Sequence, residues 1–135
     1  MITLGIDPGN TTGWAVAEDG EIFAHGTKTF PSEMNKKAEK FVEFISFLIE
    51  EYRPDKIGVC KPWGGRRNIY GNQMFYIGAC YGVATEKVCA HLDVPMRLKV
   101  LGCKDKETPQ KHFKTKTDHE SDACVAAIYV YQKNK

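Results

Sequence analysis

The sequence predicts an α/β fold in which helices flank a mixed five-stranded sheet. Short apolar runs of strand length alternate with longer stretches whose apolar residues recur at helical spacing. Their order along the chain is three strands, helix, strand, helix, strand, helix. The first three strands are joined by tight turns and should pair antiparallel, whereas strands separated by helices should pair parallel. Because 135 residues suffice for one compact core, we expect a single domain over residues 1–135.

Turn signals and apolar spacing predict the elements of the first half. Asp7-Pro8-Gly9 ends the first strand, Asp19-Gly20 is a hairpin signal, and Arg53-Pro54-Asp55 ends the first helix. One face of that helix is apolar and consists of Phe41, Phe44, Ile45, Leu48 and Ile49. The predicted elements are strands at residues 2–6, 12–17 and 21–30 and a helix from Pro31-Ser32 to about residue 52.

The second half is predicted from the same signals. A short apolar strand is followed by a loop rich in Gly, Pro and Arg, and Asp118 can cap the last helix. The predicted elements are a strand at residues 56–60, a loop at 61–72, a helix at 73–91, a strand at 95–100, a mostly polar loop at 101–117 and a helix at 118–132.

Charge and cysteine content narrow the class of protein. The net charge is only +2, but basic residues concentrate in the 61–72 loop and beyond residue 96, whereas acidic residues lie near Asp7 and Asp122. Acidic residues flanked by basic loops are typical of a protein that binds a polyanion and also acts on it chemically. Five scattered cysteines without a CxxC pair argue against a zinc site or a disulfide framework. Without a bilayer-length apolar run or a leader-like N-terminus, a cytoplasmic protein with no membrane partner is expected.

Two places in the sequence could carry chemistry. Asp7 ends an apolar strand among small residues, where its carboxylate could meet a phosphate or a metal ion, or could merely cap the Pro-Gly corner. In the last helix, Asp118, His119 and Asp122 share a face and could hold Mg²⁺ or Mn²⁺. The alternative is an acidic helix N-terminus that only interacts favourably with the helix dipole. Spacing alone leaves these alternatives open.

Several segments together resemble the RuvC-type Holliday junction resolvases, which have the RNase H-like fold. Asp7-Pro8-Gly9 with Thr12-Gly13 is similar to the family's opening strand and turn, and the run from His119 to Ala123 resembles its last helix. Residues 57–60 look like the strand that ends in the family's catalytic glutamate, and residues 78–83 look like its Gly-rich dimer helix. The resemblance covers nearly the whole chain, and the small size looks most like phage-encoded members, which act in the bacterial cytoplasm.

The resemblance implies a metal-dependent endonuclease that nicks four-way DNA junctions symmetrically as a homodimer. Asp7, His119 and Asp122 would hold two divalent ions, Mg²⁺ or Mn²⁺, with Asp7 between them. One ion would generate a hydroxide nucleophile and the other would stabilise the leaving 3′ oxygen. Basic and aromatic loop residues are expected to contact the DNA. They are Trp63, Arg66, Arg67, Lys99, Lys104 and Lys106.

Cys60 departs from the family pattern, because it stands where the family has its catalytic glutamate. A thiolate is a poor substitute for a carboxylate in a site for hard cations. Glu120 points elsewhere on the last helix and is not expected to replace that glutamate. Three explanations are open: an engineered variant, which we favour because the other site features are kept, a natural inactive binder, or an enzyme with an altered metal set.

Two other functions are open at this point. Cys60 directly favours a structure-selective DNA-binding protein without catalysis. A related RNase H-like nuclease that acts on RNA or on replication forks shares the Asp7-Pro8-Gly9 opening, but the Gly-rich helix and the ending with His119 and Asp122 fit it less well.

Junction binding should be salt-sensitive and independent of metal, because each neutralised phosphate releases counterions. Replacing Arg66 and Arg67 together by alanine should weaken binding and reduce the slope of log affinity against log salt by about two. Anisotropy titrations of a labelled four-way junction in EDTA, between about 50 and 200 mM salt, measure both effects. Affinity that hardly changed over this range would contradict the counterion-release account.

Overall fold

The chain builds a mixed five-stranded sheet with helices on both faces, as seen in a computed structural model. The structure describes residues 1–60, 76, 78–80, 82–83, 90–94 and 118–134. The strands are β1 (Ile2–Asp7), β2 (Thr11–Glu18), β3 (Glu21–Thr29), β4 (Lys56–Cys60) and β5 (Ala90–Val94). The helices are α1 (Met34–Tyr52) and α2 (Asp118–Lys133), and between β4 and β5 lies a middle helical segment, residues 76, 78–80 and 82–83.

The strand order in the sheet is β3-β2-β1-β4-β5. The neighbours β1, β2 and β3 pair antiparallel, whereas β4 lies parallel to both β1 and β5. This arrangement confirms the predicted mixed sheet. It follows from the connections, since the turns of three and two residues between these strands can only reverse the chain, and parallel neighbours need a longer crossover.

The position of the fifth strand corrects the prediction. The sequence pattern predicts a helix that reaches residue 91 and a strand at residues 95–100, but Ala90 and His91 already belong to β5. The main chain of β5 pairs with all of β4, from Lys56 to Cys60. Pairing with a central strand therefore decides the conformation here, because apolar spacing alone does not distinguish a short strand from the end of a helix. Residues 95–100 lie outside the described ranges.

Local turn chemistry is confirmed at the carboxyl end of α1 and in the hairpin, whereas α1 begins at Met34, two residues after the predicted Pro31-Ser32 start. Asp19 and Gly20 both have positive φ, 48° and 86°, which is the geometry of a two-residue type I′ hairpin. Arg53 ends α1 in the left-handed region with φ 47°, and its backbone N–H donates to the carbonyl of Ile49 at 2.8 Å. The Asp55 carboxylate then accepts from the backbone N–H of Ile2 at 2.9 Å, which joins this turn to the start of β1.

The two faces of the sheet are packed in different ways. One face is covered by α1 and the middle helical segment through large apolar side chains, including the predicted face of α1. The other face is covered by α2 through small residues, with Ala15 against Ala123 and Cys124. Fully buried members of the first face include Leu4, Ile6, Val16, Phe41, Ile45, Ile57 and Val59.

Helix α2 lies unusually close to the centre of the sheet. A Cβ atom placed on Gly5 would lie 2.0 Å from the carbonyl oxygen of Ala123, and one on Gly13 would lie 1.9 Å from that of His119. The hydroxyl of Thr3, fully buried, donates to the carbonyl of Ala127 at 2.9 Å. Backbone therefore packs on backbone along the first three turns of the helix, and only glycine fits beneath it at these two positions.

In the part of the chain that the structure describes, no helix combines the length and hydropathy needed to cross a membrane.

Gly5→Ala should reduce the free energy of unfolding by about 3 kcal/mol or more, because the new methyl group meets helix backbone that cannot rotate away. Gly26→Ala is the matched control within the sheet, since its methyl group would meet only the Trp14 ring, at 3.0 Å. Its cost should be about 1 kcal/mol or less. Urea denaturation of the two variants makes the comparison, and equal losses would contradict the close packing of α2.

Candidate active site at the carboxyl end of β1

The ends of β1 and β4 place residues 7 and 60 side by side. The register pairs Ile6 with Val59, so the next residues, Asp7 and Cys60, are level on adjacent parallel strands. Side chains alternate along a strand, and Gly5 of β1 faces α2. Asp7 therefore shares the α2 face, and Cys60 does so too, because it packs against Ala126 and Val130 of α2. The position at which the resemblance places a glutamate is next to Asp7.

Asp7 and His119 are in direct contact. His119, in the first turn of α2, has its Nδ1 atom 3.2 Å from Oδ2 of Asp7, at hydrogen-bonding distance. The Asp7 side chain is 21% exposed and that of His119 is 49% exposed, so the pair is open to a ligand from solvent. Residues that are 112 positions apart in the chain thus meet at one edge of the sheet.

The Pro-Gly corner after β1 is closed by another residue. The Thr12 hydroxyl donates to the Gly9 carbonyl at 2.8 Å and accepts from the Gly9 N–H at 3.2 Å. Tyr76 of the middle helical segment donates its hydroxyl to Oδ1 of Asn10 at 3.0 Å, which ties that segment to the same corner. The side chain that hydrogen-bonds to the Pro-Gly corner is therefore that of Thr12. The carboxylate of Asp7 contacts His119 of α2.

Cys60 contacts α2 through its thiol, one turn after His119. Its Sγ atom lies 3.7 Å from the carbonyl oxygen of Asp122, within reach of a weak S–H donor bond. Its side chain is half-buried. The thiol therefore helps to join β4 to α2, and it brings neither the charge nor the pair of oxygens that a carboxylate would bring to this position.

The remaining residues of the predicted cluster lie on α2. Asp122 is one turn after His119 and is partly buried, and Asp118 is the first residue of the helix. Among the residues that the structure describes, no three His, Cys, Asp or Glu side chains converge closely enough to hold a metal ion. Asp7 and His119 place one oxygen and one nitrogen donor at adjacent points, and these are donor types that Mg²⁺ and Mn²⁺ accept.

Glu120 makes a contact that the sequence did not reveal. It points away from Asp7, as expected, and its Oε2 atom lies 2.7 Å from Nδ1 of His25 on β3. Glu120 is buried, with only 8% of its surface exposed. The single available signal was the alternation of β3, which puts His25 on one face of the sheet but does not say which helix covers that face.

The other described cysteines are small buried residues. Cys80 of the middle helical segment and Cys124 of α2 are fully buried, and both are free thiols. Burial raises the pKa of the Cys80 thiol well above its ordinary value. Burial, aided by the nearby Glu120 carboxylate, raises the pKa of Cys124 to about 12. Neither thiol is therefore a nucleophile near neutral pH.

The predicted DNA contacts cannot be placed on this geometry. Six residues lie outside the described ranges: Trp63, Arg66, Arg67, Lys99, Lys104 and Lys106.

The middle helical segment presents two different sides. Tyr76, Cys80 and Val83 are buried, and the Tyr76 ring packs edge-on against Phe41 with centroids 4.8 Å apart. Tyr76 therefore belongs to the core. Gly78 and Gly82 are exposed, and a Cβ atom on either would meet no atom of the described residues within 4 Å.

Comparison with solved structures identifies the fold. The chain is similar to RuvC of Thermus thermophilus in complex with a Holliday junction substrate, at a TM-score of 0.82 and 17% identity, covering 99% of this chain and 95% of that chain. It is also similar to the Fowlpox virus resolvase in complex with Holliday junction DNA, at a TM-score of 0.63 and 12% identity, covering 99% of each chain.

A third likeness is to the yeast mitochondrial Holliday junction resolvase Ydc2, at a TM-score of 0.61 and 12% identity, covering 97% of this chain and 78% of that chain. No protein-family model matches the sequence, and no curated protein matches it. The fold is therefore the one shared by RuvC-type resolvases, and the predicted α/β class is confirmed. At these identities the chemistry has to be argued from the residues themselves.

Cys60 should react with iodoacetamide at pH 8 at least about ten times faster than Cys80 or Cys124 in the native protein, because burial and a raised pKa protect the latter two. Peptide mapping by mass spectrometry after timed quenching reads the three sites separately. Alkylation in urea supplies the control, since unfolding should equalise the three rates. Native labelling of Cys124 as fast as that of Cys60 would contradict the packing of α2.

Proposed function

We propose that this chain is a structure-selective endonuclease that acts on four-way DNA junctions with the help of a divalent metal ion. One observation carries the proposal: in a RuvC-type fold, Asp7 and His119 meet at 3.2 Å beside residue 60, where β1, β4 and α2 converge. The similar proteins from Thermus thermophilus and Fowlpox virus are both described with Holliday junction DNA.

Asp7 and His119 would hold the ion, with Asp122 as a third donor one turn along α2. An ion bound there would lower the pKa of a coordinated water and offset charge on the scissile phosphate. Asp7, anchored at the end of a central strand, supplies negative charge at a fixed point. The N-terminal turn of α2 adds a partial positive charge that favours an approaching phosphate. Partial exposure of both side chains leaves room for DNA to reach them.

Loop residues would bind the DNA that the site cuts. Arg66, Arg67, Lys99, Lys104 and Lys106 would contact phosphates, and Trp63 would stack on a base near the branch point. Phosphate contacts position a protein on DNA without reading sequence, so this set fits recognition of junction shape.

A second candidate function is junction binding without cleavage, and the Cys60 contact favours it. The thiol is engaged with the Asp122 carbonyl and leaves position 60 without a negative charge. Asp7 and Asp122 together bring a formal charge of −2, which balances one divalent ion and not two. Binding would then persist while nucleophile activation and leaving-group stabilisation are both weakened.

A homodimer formed through the middle helical segment is also part of the proposal. The exposed Gly78 and Gly82 leave open space that a second copy of the helix could approach closely, and two copies would match the two-fold symmetry of a junction. Cytoplasmic location is proposed with it.

Light scattering at micromolar concentration should give twice the chain mass of 15.2 kDa. Gly82→Glu should shift the protein toward monomer, because a carboxylate would be buried in the interface at a cost of several kcal/mol. Asn35→Glu, which adds the same charge at an exposed position of α1, is the control and should stay dimeric. A monomeric mass for the unchanged protein would refute the homodimer.

Cys60→Glu should raise Mg²⁺-dependent nicking on the order of 100- to 1000-fold, because it restores a charged contact beside Asp7. Single-turnover cleavage of a synthetic four-way junction by the two forms measures this directly. Asp7→Asn in the glutamate form is the negative control and should abolish nicking while junction binding in EDTA persists. Equal rates for the Cys60 and glutamate forms would show that the active site lies elsewhere, and tight binding with no nicking by either form would favour the binding protein.

A further inference from the structure

We propose that His25 is a positioning residue that, through Glu120, fixes the rotation of α2 and so presents His119 to Asp7. The expected effect of His25 on cleavage rests on the proposed nuclease function, whereas its effect on the position of α2 does not. His25 lies on β3 at the edge of the sheet, and neither the fold comparison nor the sequence motifs assign it a role.

The register of the sheet places His25 in the same row as strand residues that lie beneath α2. Gly5 of β1 pairs with Ala15 of β2, and Ala15 pairs with His25 of β3, so the three form one row across the sheet. The next row whose side chains point to the same face contains Asp7 and its partner Gly13. Gly5, Gly13 and Ala15 all contact α2, so His25 lies on the face that α2 covers.

Two consecutive residues of α2 reach to opposite sides of Gly13. The helix backbone at His119 and Glu120 lies directly over Gly13, at 1.9 Å and 2.8 Å from the place a Cβ would occupy. From there His119 reaches Asp7 on β1, on one side of β2, and Glu120 reaches His25 on β3, on the other. Rotating α2 about its axis would move both contacts together, so holding Glu120 also holds His119.

The glycine contact beneath this first turn cannot set the rotation by itself, and the directional bonds from Thr3 to Ala127 and from Cys60 to Asp122 hold later turns of α2. Apolar contact is non-directional, and Gly13 offers no side chain against which the helix could interlock. The hydrogen bond between His25 and Glu120 is directional and short, at 2.7 Å, and joins side chains that are only 32% and 10% exposed. A buried carboxylate is strongly bound to its partner because leaving it unpaired is costly. The pair therefore supplies the directional constraint that the glycine contact lacks.

NMR of the imidazole groups tests the proposal without any cleavage assay. His119→Gln assigns the His119 ¹⁵N signals, and Asp7→Ala shows where they move when the contact with Asp7 is lost. His25→Ala should move the His119 signals toward the Asp7→Ala positions. His25→Asn should keep them in place, because its side-chain amide nitrogen takes the position of Nδ1. Lys28→Ala, an exposed change on the same strand, is the control and should leave them unchanged.

The double variant His25→Ala/Glu120→Ala separates positioning from simple neutralisation of a buried charge. If His25 only compensates the burial of Glu120, removing both residues should return the His119 signals to their original positions. If the pair positions α2, the signals should stay displaced. The double variant also gives the answer should His25→Ala fail to fold, since it removes the buried carboxylate together with His25. Undisplaced signals in folded His25→Ala, or their recovery in the double variant, would overturn the proposal.

A kinetic arm is run in the Cys60→Glu form. His25→Ala should lower the single-turnover cleavage rate about 10- to 100-fold, as expected for a displaced catalytic group, while junction affinity in EDTA stays the same. His25→Asn should recover most of the rate. Absence of cleavage in the Cys60→Glu form itself would count against the proposed function alone, because the NMR result still decides the role of His25. A rate unaffected by His25→Ala in a form that does cleave would overturn the proposal.

Discussion

The close approach of α2 to the middle of the sheet is the constraint from which the arrangement of the site follows. Helix backbone lies on Gly5 and Gly13, where no larger residue fits. This approach brings the first turn of α2 level with the end of β1, so short side chains such as Asp7 can reach it directly. Small residues in the first and second strands are therefore needed for the geometry of the site, in addition to any role in packing.

The two faces of the sheet differ in what they contribute: one contains the large hydrophobic core, and the other carries the candidate site. The face under α1 contains the large apolar side chains, whose burial supplies most of the hydrophobic stabilisation. The face under α2 is lined by glycine, alanine and polar groups, and its hydrogen bonds are specific: Thr3 to Ala127, His25 to Glu120 and Cys60 to Asp122. Directional bonds suit a surface on which a few side chains must be held at fixed distances.

Position 60 can contribute both packing and charge, and Cys60 contributes only the packing. The thiol keeps a contact between β4 and α2 and packs against Ala126 and Val130, so the layers can stay together. The site beside Asp7 nevertheless has one negative charge fewer than a glutamate would provide. Position 60 therefore keeps its packing role without a carboxylate.

The sequence by itself determined the elements whose signals are local: the Asp19-Gly20 hairpin, the limits of β4, the apolar face of α1 and the start of the last helix. It also brought Asp7 and His119 into one hypothesis, through motifs that resemble a known family. Tertiary structure decided the rest. Pairing with β4 placed the fifth strand at Ala90–Val94, core packing buried Tyr76, and contact between α2 and the sheet joined His25 to Glu120. These outcomes depend on which faces of the elements pack against each other. Local sequence patterns do not show contacts between residues that are far apart in the chain.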